Sequence, residues 1–224
     1  MGRPALVVGA LIAVGAALAG CSAPSGPTAP AGAAAQVRVP AQGGDQQAYH
    51  GAVLTRPYRL PSVPFAGSDG ATHRLDRAPL APVTLLFFGY THCPDECPAT
   101  LGTVAAALRQ VTPAVRTRIA LGMITTDPAR DTPVVMRDYL ARFDPSFVGL
   151  ATDDATSRAV AADLGVAVTG ITRLPGGGYD VGHQAHVIGF DQRGRGRLVW
   201  LPDVAVADLA ADLTRLASPE GGAS

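Results

Sequence analysis

A nearly unbroken apolar segment, VTLLFFGY at residues 83–90, sets the first limit on how this chain can fold. Eight residues suit a strand better than a helix, and the apolar residues do not alternate with polar ones. A strand of this kind has both faces covered, which happens when helices pack on the two sides of a sheet. We therefore expect a layered α/β domain with this strand inside it.

Helical and extended patterns alternate on both sides of this segment, as they do in α/β proteins. The predicted strands are 118–125 and 147–151, and the predicted helices are 97–111, 133–142 with Thr132 as its N-cap, 153–164 ended by Gly165, and 204–216. We also expect two hairpins: residues 181–191 with 197–201, and, as an N-terminal addition, residues 58–60 with 72–75. A hairpin that follows alternating strands and helices predicts a mixed β-sheet flanked by helices.

The first residues carry the pattern of a secreted protein. Arg3 precedes the apolar stretch 5–20, whose 16 residues fall short of the ~20 that span a bilayer as a helix. The stretch runs into LAGC, which resembles the lipobox of bacterial lipoproteins. We expect a lipoprotein signal peptide at 1–20 and a lipid-modified Cys21, with a plain secretory signal and a free Cys21 thiol as the alternative.

The segment after the signal peptide has almost nothing to bury, because residues 21–48 are mostly Ala, Pro, Gly, Ser and Gln. We expect a flexible linker there, a folded domain at 49–217 and a disordered tail at 218–224. The predicted location is extracytoplasmic, with the lipid anchor on the outer face of the cell membrane.

Charge and cysteine content exclude two classes of protein. The 18 Lys+Arg residues, all of them arginine, balance 18 Asp+Glu without a basic stretch, so no nucleic-acid partner is expected. With three cysteines in 224 residues, the chain is not a small domain held together by disulfides.

Two cysteines lie where the apolar strand passes into the next helix. Cys93 and Cys97, in FGYTHCPDECP, are separated by three residues, and positions i and i+4 share one face of a helix. Pro98 suits the first turn of that helix, where free amides and the helix dipole favour a thiolate. The pair can form a disulfide or share one metal ion, and two inert buried cysteines are the least favoured interpretation.

At this motif the chain resembles the Sco (SenC) family of copper proteins, which carry F-G-Y-T-x-C-P-D-x-C-P in the same setting. The match at 88–98 is complete, and the similarity continues through TDPARDTP at 126–133 and FDPSFVGL at 143–150 to the family's V-D-H-S block at 181–184. It covers about 49–216. The resemblance implies a thioredoxin-like fold with an extra N-terminal β-hairpin.

The resemblance also implies one copper ion per chain. The ion is bound in the family by the two motif cysteines and the histidine of the last block, so the implied ligands are Cys93, Cys97 and His183. That block departs from the family pattern, because VGHQ replaces V-D-H-S and a second histidine, His186, follows. Residues i and i+3 of a strand face opposite sides, so we assign His183 and keep His186 as the next candidate.

The chemistry of this donor set agrees with copper. Two thiolates and one imidazole form a soft set that suits Cu(I), and a weak extra ligand lets it hold Cu(II). Structural zinc usually takes four protein ligands, and His92 is not favoured as a fourth. Asp127 and Asp131 match a D-x-x-x-D element suggested to touch metal or partner in the family, but their places before Pro128 and Thr132 favour a turn and a helix cap.

By resemblance, the chain is a metallochaperone that delivers copper to the CuA site of cytochrome c oxidase during its assembly. The implied partners are the CuA domain of oxidase subunit II and a periplasmic copper donor or thiol reductant. The alternative is a thiol-disulfide oxidoreductase that reduces the CuA-site cysteines through a redox disulfide of Cys93 and Cys97, and a redox or copper sensor is a third. Dithiol enzymes mostly carry two residues between their cysteines, which favours the chaperone over an enzyme.

Overall fold

The computed structural model describes Gly2 and residues 48–218. The chain divides into two units, Met1–Ala33 and Ala34–Ser224, and all described helices and strands lie in the second. The expected signal peptide apart from Gly2, the lipid-modified Cys21, and nearly all of the expected linker and tail lie outside the described residues. Within the described part of the chain, no helix combines the length and apolar character that crossing a bilayer requires.

The elements follow the alternation that the sequence predicts. In chain order they are β1 (Ala52–Arg59), β2 (Phe65–Gly67), β3 (Thr72–His73), β4 (Val83–Gly89), α1 (Glu96–Gln110), α2 (Pro113–Arg116), β5 (Ile119–Thr125), α3 (Pro133–Leu140), β6 (Val148–Ala151), α4 (Asp154–Asp163), β7 (Val168–Arg173), β8 (Tyr179–His183), β9 (Val187–Phe190), β10 (Arg195–Trp200) and α5 (Val206–Ala217). Thr132 caps α3 as predicted, because its side chain accepts a hydrogen bond from the Val135 amide. Gly165 follows α4 with φ at +68°, the left-handed conformation that glycine adopts at helix ends.

Within residues 48–218, eight strands form one sheet in the order β1-β10-β9-β4-β5-β6-β2-β3. Strand β4 is parallel to β5 and antiparallel to β9, and β5 is parallel to β6, so the sheet is mixed. Helices α1, α3 and α5 contribute to the core on one side of it, and α4 to the core on the other. The predicted mixed sheet flanked by helices is confirmed.

Strand β4 is the buried strand that the apolar segment predicts. All seven of its residues are buried. Leu85 and Phe87 pack into the core with α1, whereas Leu86 and Phe88 pack into the core with α4. Both faces are covered because side chains alternate across a strand and helices lie on each side.

The N-terminal hairpin is present, but its first strand differs from the prediction. Strand β2 pairs with β3 through Phe65 and His73, whereas Tyr58 belongs to β1 and pairs with Gly196 of β10. The connection between β2 and β3 is short and is closed by Asp69, whose carboxylate accepts a hydrogen bond from the Ala71 amide. A strand at 58–60 would have needed a much longer loop to reach β3. Residues 58–59 instead end β1, which pairs with the edge of β10.

The predicted strand 181–191 is wrong in one respect, because the structure divides it in two. Its first part belongs to β8, which pairs with β7 in a separate two-stranded sheet, and its second part is β9 of the main sheet. At the break, the Gln184 amide donates to the Ala167 carbonyl and the Gln184 side chain accepts from the Ala167 amide. These bonds hold the chain on the β7 side before it enters β9. The sequence did not predict β7, whose residues are mostly exposed.

Candidate metal centre

The cysteine pair sits at the carboxyl end of β4, where the chain turns into α1. Gly89 ends the strand, and a Cβ there would lie 2.6 Å from the Phe87 ring and 3.1 Å from the Cys97 sulfur. Cys97 therefore packs directly against the strand end, and it is fully buried. Cys93, in the loop before the helix, is half-buried.

The sulfur of Cys93 takes over the role of a helix cap. Asp95 occupies the N-cap position but makes no side-chain capping bond to a described residue. The Cys97 amide instead donates to the Cys93 sulfur at 3.4 Å. Free amides at a helix start need an acceptor and favour a negatively charged one, so the start of α1 stabilises a thiolate at Cys93.

His183 is the last residue of β8 and points its ring at the cysteines. Its Nδ1 lies 3.2 Å from the Gln184 carbonyl. Because a carbonyl can only accept, Nδ1 is the donor in this contact, and Nε2 is the ring nitrogen that faces the cysteines. The Nε2 atom lies 3.4 Å from the Cys97 sulfur. The rings of Phe87 and Tyr90 pack edge-on against the imidazole, with centroids 6.3 and 5.7 Å away, and orient it.

The donor atoms of Cys93, Cys97 and His183 all lie within 4.8 Å of one another. Metal–sulfur bonds are about 2.3 Å long, so two sulfurs around one ion lie at most about 4.6 Å apart. Small side-chain movements would therefore place one ion in contact with all three donors. Among the described residues no other group of three histidine, cysteine or carboxylate side chains comes this close together.

The two thiols differ strongly in acidity. A hydrogen bond from the Cys97 thiol is the main cause that lowers the pKa of Cys93 to about 4, with His183 and backbone amides helping and burial opposing. The same hydrogen bond, together with burial, raises the pKa of Cys97 well above its ordinary value. At neutral pH and without metal, the pair therefore holds one thiolate and one thiol, and the thiolate is the more exposed sulfur.

The structure keeps the other two histidines of the motifs apart from this cluster. His186 lies between β8 and β9 and is buried, and its burial lowers its pKa to about 4. His92 is exposed, with Nδ1 3.1 Å from the Thr91 hydroxyl. Neither belongs to the donor group that Cys93, Cys97 and His183 form.

The expected capping role of Asp131 is wrong, because Thr132 alone supplies the cap of α3. The buried Asp131 carboxylate accepts a 2.6 Å hydrogen bond from the Thr91 hydroxyl and a 2.7 Å bond from the Thr125 hydroxyl. Burial is the main cause that raises its pKa. Asp131 thus ties the loop that leads to Cys93 to the end of β5.

Asp127 does belong to a turn, as predicted, but it also makes contacts that the sequence did not reveal. Its backbone carbonyl accepts from the amides of Arg130 and Asp131. Its carboxylate forms an ion pair with Arg130 and accepts a 2.8 Å hydrogen bond from the Tyr179 hydroxyl. Local patterns could not indicate the partner Tyr179, which lies 52 positions away along the chain.

A mixed sheet with a two-cysteine turn at the end of a central strand, joined by a histidine from a separate hairpin, defines a thioredoxin-like protein with a candidate metal site. The SCO1/SenC family model matches residues 64–218. The chain belongs to the SCO1/SenC family, whose members take part in copper binding and cytochrome c oxidase assembly.

Relatives and solved structures agree with this placement. The chain is 33% identical over 104 residues to the mitochondrial protein SCO2 of Saccharomyces cerevisiae, which is 46% of this chain and 33% of that protein. It spans 56% and 38% of the lengths of two other curated relatives. Apo Sco1 of Thermus thermophilus is 34% identical with a TM-score of 0.65, covering 75% of this chain and 96% of that one. Copper-bound ScoI of Bradyrhizobium japonicum is 31% identical with a TM-score of 0.60, covering 71% and 97%.

Proposed function

We propose that this chain binds one copper ion through Cys93, Cys97 and His183 and passes it to another protein. The observation that carries the proposal is the convergence of these three donors, from a loop, a helix start and a hairpin strand, to within 4.8 Å. Two sulfurs and one imidazole nitrogen are soft enough to select Cu(I), and adding one weak ligand accommodates Cu(II). Copper bound in a relative that is 31% identical supports the same cargo here.

The burial of the donors suits a carrier. Cys97 is fully buried, whereas Cys93 and His183 are half-buried and reachable from solvent. A ligand of the recipient protein would approach the copper ion from the side on which Cys93 and His183 lie. It would replace these two ligands one at a time, and Cys97 would be the last to release the ion. Because Cys93 is already a thiolate, metal binding displaces a proton from Cys97.

The recipient we propose is the CuA site in subunit II of cytochrome c oxidase, reached from an extracytoplasmic position with a lipid anchor at Cys21. Membership of a family that takes part in assembling this oxidase supports the recipient. The LAGC tetrad before the linker supports the anchor. A periplasmic copper donor and a thiol reductant complete the proposed set of partners.

The test is an anaerobic Cu(I) titration of the reduced full chain in competition with a chelator of known affinity. Every variant carries Cys21→Ser, so that this thiol does not compete for the metal. We expect one ion per chain, at least tenfold weaker binding in His183→Ala, and no loss in the control His92→Ala, whose histidine is exposed. Unchanged affinity in His183→Ala would show that the assigned ligand is wrong.

Delivery is tested separately by mixing the copper-loaded chain with the reduced, metal-free CuA domain of subunit II. The expected result is loss of Cu(I) from this chain and two copper ions on each CuA domain, which then shows the CuA absorption bands after one-electron oxidation by added ferricyanide. Copper that stays on the chain after the CuA domain is added in excess would contradict the proposed recipient.

One observation favours a second function, thiol-disulfide exchange. The thiolate of Cys93 is half-buried and the thiol of Cys97 is buried, as in an attacking and a resolving cysteine. Cys93 would attack a substrate disulfide and release one substrate thiolate, and Cys97 would then lose its proton and displace the second. A single reduction of a disulfide substrate by prereduced His183→Ala at the wild-type rate, without copper and with formation of the Cys93–Cys97 disulfide, would support this function.

A further inference from the structure

The histidine of the candidate metal site lies on a part of the fold that the main sheet does not hold. In the described part of the chain, β7 and β8 pair only with each other, from Val168 and His183 at the base to Arg173 and Tyr179 near the tip. We call residues 168–183 the arm. Because no strand of the main sheet bonds to the arm, side-chain contacts decide how far His183 lies from the cysteines.

One group of these contacts joins the arm to the turn between β5 and α3. The Arg130 side chain forms an ion pair with Asp127, and its Nη2 donates to the Tyr179 carbonyl at 3.1 Å. Its guanidinium carbon lies 3.7 Å from the centre of the Tyr179 ring. The Tyr179 hydroxyl in turn donates to Asp127 at 2.8 Å. We call Arg130, Asp127 and Tyr179 the latch.

The burial and chemistry of the latch residues suit them to hold the arm in place. The Asp127 side chain is only 4% exposed, and losing one partner of a buried ion pair is costly because the other charge stays buried. Arginine supplies a planar group that can bond and stack at the same time. The latch therefore makes three contacts between the arm and the rest of the domain, and all three involve Tyr179.

Tyr90 links the latch to the metal site. Its hydroxyl donates to Asp180 of the arm at 3.2 Å, and its ring packs edge-on against His183. The Arg130 guanidinium lies 5.7 Å from the centre of the same ring. Arg130 thus contacts both the arm and the aromatic side chain that orients the histidine, although it does not touch the donor atoms itself.

We propose that Arg130 is a positioning residue for copper, which closes the arm through Asp127 and Tyr179 and so keeps His183 within reach of Cys93 and Cys97. This inference rests on the proposed function. The apparent affinity of a site equals its intrinsic affinity multiplied by the fraction of molecules that are competent to bind. Opening the latch lowers that fraction for the three-donor site and leaves the two cysteines as a weaker one.

The test is a double-mutant cycle for Cu(I) affinity in the full chain, again with Cys21→Ser throughout. If Arg130→Gln lowers the closed fraction of the arm to about a tenth, affinity falls about tenfold. The same change in the His183→Ala background should have no effect, since there is no histidine left to position. Arg173→Gln, which removes an exposed arginine from the arm, is the matched control and should bind as the wild type does.

Two further readouts separate positioning from general loss of structure. Copper(II) bound to Arg130→Gln should show weaker nitrogen coupling in its electron paramagnetic resonance spectrum. Arg130→Lys keeps the ion pair but not the stacking, so its nitrogen coupling should lie between those of Arg130→Gln and the wild type. Hydrogen exchange of the apo protein should accelerate in residues 168–183 and stay unchanged in α1 and β4.

The outcomes distinguish this inference from the function on which it rests. Equal losses of affinity from Arg130→Gln with and without His183 would overturn the latch. Unchanged exchange in the arm of Arg130→Gln would overturn it as well. A wild-type chain that binds no Cu(I) would overturn the proposed function, and the exchange experiment on the apo protein would still decide whether Arg130 holds the arm.

Discussion

Replacing Gly89 by alanine tests whether the end of β4 and the cysteine turn are packed as tightly as the structure indicates. The added Cβ would lie 2.6 Å from the Phe87 ring and 3.1 Å from the Cys97 sulfur. Carbon atoms in contact prefer about 3.5–4.0 Å, so the ring has to move by about 1 Å. Phe87 is fully buried, and its neighbours resist this movement.

The expected magnitude combines two opposing effects. Overpacking a well-packed core costs about 1–3 kcal/mol, whereas replacing glycine by alanine stabilises by about 0.4–1 kcal/mol through the unfolded chain. We expect the free energy of unfolding of Gly89→Ala to fall by about 1.3 kcal/mol, the difference between the midpoints of these two ranges. Copper affinity should fall too, because the Cβ also pushes against the Cys97 sulfur.

Urea unfolding of the reduced apo protein measures this change, followed by the fluorescence of Trp200, the one tryptophan of the chain and a buried residue. The control is Gly102→Ala, where a Cβ meets nothing within 4 Å in the middle of α1. That variant should gain about 0.5–1 kcal/mol, since alanine favours a helix more than glycine does. A Gly89→Ala protein that unfolds at the wild-type urea concentration or above it would refute the packing argument.

Three further predictions follow from other parts of the chain. The pKa of Cys93 is lowered to about 4, so its alkylation rate in the native apo protein should stay nearly constant from pH 8 to pH 5 and fall below pH 4. In the urea-unfolded chain the alkylation rate should instead fall with every pH unit below pH 8. The Asp212 carboxylate accepts hydrogen bonds from Trp200 Nε1 at 2.8 Å and from two backbone amides. Urea unfolding of Asp212→Ala should therefore show a free energy of unfolding that is lower by about 2–4 kcal/mol. A loss below about 0.5 kcal/mol, the range of ordinary surface substitutions, would contradict this prediction. Cys21→Ser should move the protein from the membrane to the soluble fraction of fractionated cells, and its retention with the membranes would contradict the lipid anchor.

Much of the fold could be predicted because its signals lie within a few residues of one another. The apolar segment at β4 shows in its own composition that both faces are buried. The Thr132 cap and the glycine after α4 act on amides and carbonyls that are one helical turn away. The cysteine turn likewise depends on a strand end and a helix start that are adjacent in the sequence.

The candidate site was predictable only where it is local or where the motifs resemble those of a known family. The helical spacing predicted that Cys93 and Cys97 lie close together, but only Cys97 belongs to α1, and Cys93 lies in the preceding loop where its sulfur accepts from the Cys97 amide. We chose His183 over His186 by assuming one continuous strand with alternating side chains. The structure does place His183 at the cysteines, but the strand is interrupted between the two histidines. The cap on α1 is a sulfur, which no pattern of capping residues indicates.

Neighbouring residues and hydrophobic periodicity were enough to predict the four longer helices α1, α3, α4 and α5, the cysteine turn and the buried centre of the sheet, but not α2 or β7. Only the packed fold shows that β8 leaves the main sheet and that Arg130 reaches a carbonyl 49 positions away. The contact of His183 with a cysteine 86 positions away could be expected only from the family resemblance, and no local pattern indicates it. These contacts join groups that are distant in the chain, so their geometry is set by how the layers pack and not by any local preference of the residues that form them.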